Sequence, residues 1–450
     1  MGVFGSSGVR GIVNEELTPT FVERLAAAAG SVLESDHVAI ARDTRISGPM
    51  FVNAAAAGFM SVGVDVDRLG VLPTPGLQDY LQRTGRFGCM ITASHNPREY
   101  NGVKLFDAGG RELAGDGLTN IEDAVEQHAR QHVQWDHTGR QHDIDIAAQR
   151  YVEGIIDAVD AENISDAGLT VAIDPGHGAS CETTPHMCRK LGCQVVSVNA
   201  TPDGRFPGRS PEPVPAVLED LQRLVRASDA DLGVAHDGDG DRAMFVDETG
   251  AIVDGNTMLA VLATALLAEG DTVVTAVNTS QRVQDAVADV GGQVELTPIG
   301  SAQIIERVTA CQNRGERVPL AGESNGGVFL PTARPARDGA FVLARVLSLI
   351  CEEPLSSRAA EHTGYHLEKR VLQYDSPDER TEMLSAIESV ADRTEATVDR
   401  TDGVRLDFGD GWVLARPSGT EPVIRVSAEA RTRERAQDHL DTMLAAVTNR

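Results

Sequence analysis

The sequence predicts an α/β protein of several domains, with mixed or parallel sheets through most of its length and a smaller α+β domain at the end. Three observations predict it. Short β-branched runs alternate with stretches of helical periodicity, the rhythm of repeated βαβ units. A length of 450 residues exceeds what one hydrophobic core usually serves. The last stretch breaks the rhythm, with paired strands followed by one helix.

Taken in order, the strand runs are "HVAIAR" at 37, "FGCMIT" at 87, "LTVAID" at 169, "QVVSV" at 194, "DLGVAH" at 231 and "TVVTAV" at 272. Helical periodicity covers 19–34, 49–60 after Pro49, 215–227, 257–268 and 338–351. The closing piece reads as strands "GVRLDF" and "GWVLAR" hinged at Gly409, a third strand "PVIRVSAEA", and a helix over 432–448. Polar stretches at 131–143, 247–255 and 363–379 read as boundaries lacking regular structure. They divide the chain into 1–146, 147–250, 251–365 and 366–450.

Composition narrows the partners. With 67 acidic against 40 basic residues the net charge is -27, which disfavours nucleic acid or an anionic membrane and leaves small anions to local basic pockets. Among the basic residues the only lysines are Lys104, Lys190 and Lys369. Acidic excess with so few lysines is the composition expected of a cytoplasmic protein in a salt-loving organism, where screening relieves repulsion between carboxylates. The cysteines form no C-x-x-C pair, so a disulfide framework or zinc site is not expected and buried packing roles are. Apolar runs such as "MLAVLATALLA" at 258–268 fall short of the roughly 18 residues of a membrane span, and no signal-peptide pattern precedes Phe4.

Each piece carries one loop whose chemistry exceeds the needs of a turn. In "GCMITASHNPREYNGVKLF", 88–106, Ser94 follows an apolar run, well placed for chemistry at a strand's carboxyl end, though Ser, Asn and Pro also make ordinary turns. The G-x-S-x-G elbow of triad hydrolases is absent. His95, adjacent in sequence, is expected to point away from Ser94 in extended backbone. In "GVAHDGDGDRAMF", 233–245, Asp237, Asp239 and Asp241 alternate with glycines that permit a curl around one hard cation. A calcium EF-hand is disfavoured because Arg242 stands at the position requiring glycine and a strand run precedes the loop. "AGESNGGVF", 321–329, offers Glu323 and Asn325 to a polyol, with a plain hairpin as the alternative. "ARPSGTEPVIR", 415–425, sets Arg416 and Arg425 around Ser418, Gly419 and Thr420, either a β-turn or an anion pocket.

These loops, "TASHNP" at 92–97, "DGDGDR" at 237–242, "GESNGG" at 322–327 and "RPSGTEP" at 416–422, resemble in this order the α-D-phosphohexomutase superfamily, as does the opening "FGSSGVRG" at 4–11. The overall pattern looks most like archaeal phosphoglucosamine mutases and their phosphomannomutase or phosphoglucomutase relatives. The resemblance implies a four-domain, heart-shaped protein whose three α/β domains and final α+β domain each lend a loop to one cleft. It implies that Ser94 carries a phosphoryl group and that Asp237, Asp239 and Asp241 hold Mg²⁺ together with a phosphoserine oxygen. Glu323 and Asn325 would face sugar hydroxyls, while Arg416, Ser418, Gly419 and Thr420, with Arg425 nearby, would grip the non-reacting phosphate. Lys104 matches the family's proton acceptor, Arg10 its N-terminal arginine near the reacting phosphate, and His95 an auxiliary group. Many bacterial members carry a histidine where this chain has Gly327. The implied partners are a phosphosugar and its bisphosphate, in a monomer or homodimer. The competing classes are a metal- or sugar-phosphate-binding protein without turnover, and a phosphatase.

Overall fold

The computed structural model describes residues 8–33, 35–113, 115–127, 131–418 and 422–448. The chain forms two compact units, Met1–Asp254 with Asn325–Arg358, and Gly255–Ser324 with Ala359–Arg450.

The first unit opens with a six-stranded sheet built from β1 (Val9–Ile12), β2 (His37–Arg42), β3 (Asp65–Val71), β4 (Phe87–Ile91), β5 (Tyr100–Phe106) and β6 (Gln141–Asp143). Their order is β1-β5-β4-β2-β3-β6. Strands β4, β2, β3 and β6 run parallel, whereas β5 returns antiparallel beside β4 and pairs with β1. Helices Pro19–Val32 and Gly48–Ser61 cover one face. Leu25, Phe51 and Phe59 from these helices pack on Ile40, Ile91 and Val103 of the sheet. Thr18 starts the first helix by accepting a hydrogen bond from the Phe21 amide, and proline follows at its first position, where a missing N–H costs nothing.

A second sheet follows in the same unit. Its strands are β7 (Thr170–Asp174), β8 (Gln194–Ser197), β9 (Leu232–His236), β10 (Ala243–Asp247) and β11 (Ile252–Val253), in the order β11-β10-β9-β7-β8. Again the strands up to β9 are parallel and the next one, β10, turns back antiparallel. Both sheets therefore end a buried parallel strand in a polar loop and return at once along a buried neighbour, β4 to β5 and β9 to β10.

In the second unit β12 (Thr272–Ala276), β13 (Gln293–Thr297) and β14 (Leu320–Gly322) form a parallel set with β12 between the others. The first unit then takes up the chain as a hairpin of β15 (Val328–Leu330) and β16 (Arg334–Arg337) and the buried helix Gly339–Ile350. The C-terminal sheet, wholly antiparallel, contains β17 (His366–Gln373), β18 (Thr397–Asp399), β19 (Val404–Asp407), β20 (Gly411–Pro417) and β21 (Val423–Ala430). Helices Pro377–Ala391 and Arg433–Thr448 pack on it.

The stretches expected to lack regular structure contain some: 131–143 ends in β6, 247–255 holds β11, and 363–379 contains the eight-residue edge strand β17 and the start of a helix. The residues of β17 are mostly exposed, with Leu367 and Val371 on the surface, so the core-facing alternation that marks a strand is weak. The cysteines are free; Cys351 is half-buried and the others are buried. Among the described residues no helix is long and apolar enough to cross a membrane.

Candidate active site

Ser94 lies two residues past Thr92, where β4 gives way to its loop, and it is 1% exposed. Its φ of 48° is left-handed, a region that a side-chain-bearing residue enters only under constraint. Its Oγ donates a 2.8 Å hydrogen bond to Asp237 Oδ2. The left-handed turn also overturns one expectation. His95 does not point away, since its Nδ1 lies 3.3 Å from Ser94 Oγ, because the alternation of side chains holds only in extended backbone. Arg242 Nη2 stands 3.0 Å from the same Nδ1; the guanidinium can only donate, so this nitrogen is an acceptor. Burial, then Arg242 and Arg10, hold the imidazole neutral, far below its ordinary range.

The aspartate loop joins β9 to β10, strand to strand, which excludes the helix-flanked EF-hand. Gly240 takes φ 71°, and the loop curls so that one oxygen from each of Asp237, Asp239 and Asp241 lies within 4.8 Å of the others. All three side chains are buried. Asp239 Oδ1 and Asp241 Oδ1 are closed off from water without a hydrogen-bond partner, and a buried carboxylate oxygen left so is costly. Hard oxygen donors, close spacing and unsatisfied buried oxygens fit a divalent cation.

Lys104, on the return strand β5, is 1% exposed, which rules out a surface lysine. Its Nζ lies 3.0 Å from Asp239 Oδ2 and 3.7 Å from Asp241 Oδ2. Thr74 Oγ1 donates to the same Asp239 oxygen at 2.7 Å. Burial works against the ionised form of Asp239, but Lys104 and these hydrogen bonds outweigh it and lower its pKa. Asp237 goes the other way, pushed well up by burial and by Asp241 and Asp239. Burial alone would lower the Lys104 ammonium, yet Asp239, Asp241 and Glu112 raise it. The carboxylates beside Lys104 were invisible to a local reading of "YNGVKLF".

Arg10 donates to Asn96 Oδ1 at 3.0 Å on the serine loop. Arg337 pairs with Asp241, and Glu112 raises its carboxyl pKa through burial, offset by Lys104, Arg337 and Arg10. Arg10, Lys104, Arg242 and Arg337 thus balance Glu112 and the three aspartates in formal charge. A divalent cation arriving with a phosphate dianion leaves that balance unchanged.

Asn325, also in the first unit, is exposed and accepts the Gly327 amide at 3.0 Å. A Cβ at Gly327 would meet Arg337 Cδ at 2.9 Å, so Arg337 fills the space that a side chain there would need. In the second unit Glu323 follows the carboxyl end of β14 and is 7% exposed. Arg416 on β20 sits directly opposite Arg425 on β21 and pairs with Asp402 at 3.3 Å, while the Ser418 amide donates to Val423 O at 2.8 Å. Like charges facing each other across a strand pair repel, an arrangement suited to an anion. Gly419, Thr420 and residues 4–7 of the opening motif lie outside the described residues.

Sequence reasoning did not assign Asp43, Arg45, Thr74, Glu112, Arg242 or Arg337. "ARDTR" at 41–45, charges placed directly after an apolar strand, was a usable signal for the first two; Thr74 and Glu112 left no local one.

Residues 1–132, 149–250 and 254–365 match the phosphoglucomutase/phosphomannomutase alpha/beta/alpha domains I, II and III, and 375–446 match the C-terminal domain. The chain belongs to the phosphoglucomutase/phosphomannomutase family. This phosphohexomutase is 39% identical to a probable phosphoglucosamine mutase of Methanopyrus kandleri, over 99% of this chain and 97% of that protein. It is 37% identical to a phosphoglucomutase/phosphomannomutase of Thermococcus kodakarensis, over 98% and 97%. A crystal structure of a family protein from Burkholderia thailandensis superposes with TM-score 0.87 at 28% identity, covering 99% of this chain and 97% of that one. The chain is accordingly a mutase, an isomerase with the four-domain α/β architecture of its family.

Proposed function

We propose that this mutase interconverts glucosamine 6-phosphate and glucosamine 1-phosphate through a phosphoryl group carried on Ser94. The observation that carries this reading is the 2.8 Å hydrogen bond from Ser94 Oγ to Asp237, one of three clustered, buried carboxylates. A serine so placed needs no triad, because phosphoryl transfer depends on positioning and charge neutralisation more than on an activated nucleophile. Bound by Asp237, Asp239 and Asp241, Mg²⁺ would neutralise charge on the transferring phosphoryl oxygens.

In the first half of the cycle the phosphorus–Oγ bond of phosphoserine breaks and a bond to the free sugar hydroxyl forms. The hydroxyl's proton ends on Ser94 Oγ, with Lys104 as the proton-handling group. The bisphosphate then turns over, and its other phosphate returns to Ser94. Arg10, which donates to Asn96 of the serine loop, would receive the transferring phosphate, with His95 as a neutral neighbour. The sugar falls to Glu323 and Asn325, and the non-reacting phosphate to Arg416, Ser418, Gly419, Thr420 and Arg425, among which the Arg416–Arg425 pairing supports an anion.

The name of the Methanopyrus relative supports the amino sugar; that of the Thermococcus relative favours mannose or glucose phosphates as the second reading. One assay tests both: glucosamine, mannose and glucose 6-phosphates with Mg²⁺ and a trace of the matching bisphosphate, for the wild type and Ser94→Ala. The amino sugar is expected to turn over fastest and Ser94→Ala to lose at least about 10³-fold in rate. Steady release of inorganic phosphate matching substrate loss would point instead to a phosphatase, which the burial of Ser94 disfavours.

A further inference from the structure

We propose that Arg45 is the positioning residue of the serine loop, imposing on Ser94 the left-handed backbone from which its Oγ faces Asp237. The inference rests on the reading of Ser94 as the phosphoryl carrier. Arg45 is fully buried, and each of its five N–H donors has an acceptor. Nε donates to Asp43 Oδ2 at 3.0 Å. Nη1 donates to Pro97 O at 2.6 Å and Tyr100 O at 2.9 Å. Nη2 donates to Ser94 O at 3.0 Å and Asn96 O at 2.7 Å. Four carbonyls of the loop thus converge on one planar fork.

A second branch reaches the serine through its amide. Ser94 N donates to Thr92 Oγ1 at 2.8 Å, and Thr92 Oγ1 donates to Asp43 Oδ2 at 2.7 Å. Asp43 also accepts the Arg45 amide at 2.9 Å. Both the N–H and the C=O of Ser94 are therefore fixed by the Asp43–Arg45 pair, leaving the residue little choice of φ; its 48° is the value the clamp enforces. Arg45 makes no hydrogen bond to the metal-type carboxylates, so its effect on the reaction passes through the loop. Lysine could not replace it, having three donors at one point instead of five in a plane.

The test compares wild type, Ser94→Ala, Arg45→Lys, Arg45→Ala and Thr92→Val in the sugar-phosphate assay, with thermal melts alongside. Arg45→Lys and Arg45→Ala are expected to lose roughly 10²-fold in kcat, the scale of an approximately 1 Å misplacement, with KM for the sugar phosphate within about threefold. Methylguanidinium should restore part of the Arg45→Ala rate while methylammonium does not, a selectivity that a merely structural role would not produce. Where the arginine variants fail to fold, Thr92→Val, close to isosteric, cuts the amide branch and is expected to lower kcat on the order of tenfold. An inactive wild type, or an active Ser94→Ala, overturns the mutase reading and this inference with it. An active wild type and inactive Ser94→Ala, together with wild-type kcat in folded Arg45→Lys or, where neither arginine variant folds, in Thr92→Val, overturn the role of Arg45 alone.

Discussion

Ser94 Oγ donates its hydrogen bond to a carboxylate 143 positions away in the chain, on Asp237. Lys104 shows the energetic consequence of such long-range pairing, since it pairs with Asp239 and Asp241 where all three side chains are buried. Removing one partner of a buried ion pair leaves an uncompensated charge, worth roughly 3–5 kcal/mol. Lys104→Met is therefore expected to melt well below the wild type in EDTA and to recover part of the loss in millimolar Mg²⁺, because a cation bound to the native state alone stabilises it. A melt indifferent to Mg²⁺ would count against the carboxylates as a metal site. His236 makes one contribution to the pH dependence. It is fully buried, and burial lowers its pKa from 6.5 to about 4. The unfolded chain then takes the proton first, so stability present above pH 6.5 is lost as the pH falls towards about 4, by at most about 3 kcal/mol. Across that window the urea midpoint of the wild type should fall relative to that of His236→Gln, and a constant difference between the two would remove His236 from the account.

At the scale of elements, the first unit uses one device twice. Beside β4, the parallel strand β2 is followed by Asp43, which pairs with buried Arg45. Beside β9, the parallel strand β7 ends in Asp174, which pairs with buried Arg209 at 2.8 Å. Arg209 donates to His236 O at 2.6 Å, the carbonyl directly before the aspartate loop. Each loop thus hangs between a rigid strand and an arginine whose charge is held by the next strand. Arg209→Met should destabilise the protein by about 3–5 kcal/mol in chemical unfolding, because Asp174 loses its partner. The two loops also touch closely: a Cβ at Gly238 would meet Ser94 O at 2.6 Å. Gly238→Ala is expected to fold yet lose at least about 10²-fold in kcat by displacing the serine, and unchanged kinetics would show that the loops can separate without cost.

For the whole molecule the governing quantity is a net charge of -27. Self-repulsion among surface carboxylates weakens as ionic strength rises and the Debye length contracts from roughly 10 Å at 0.1 M to 3 Å at 1 M. The melting temperature should rise between 0.1 M and 1 M KCl; a flat response would mean that the exposed ion pairs already offset the repulsion.

The sequence by itself determined the class of fold and the chemistry of the loops. Alternating apolar runs marked β2, β4, β7, β9 and β12 because buried strands carry that pattern wherever they lie, and the D-x-D-x-D and S-H-N-P loops declared their residue types. It left β17 unread because an exposed edge strand has little apolar alternation. Only the tertiary structure decided how these groups behave. The left-handed backbone of Ser94, the approach of His95, the ion pairs of Lys104 and the clamp of Arg45 depend on partners brought together by strand order. Residue type is a local property, whereas burial, pKa and backbone strain are set by neighbours that a linear chain does not show.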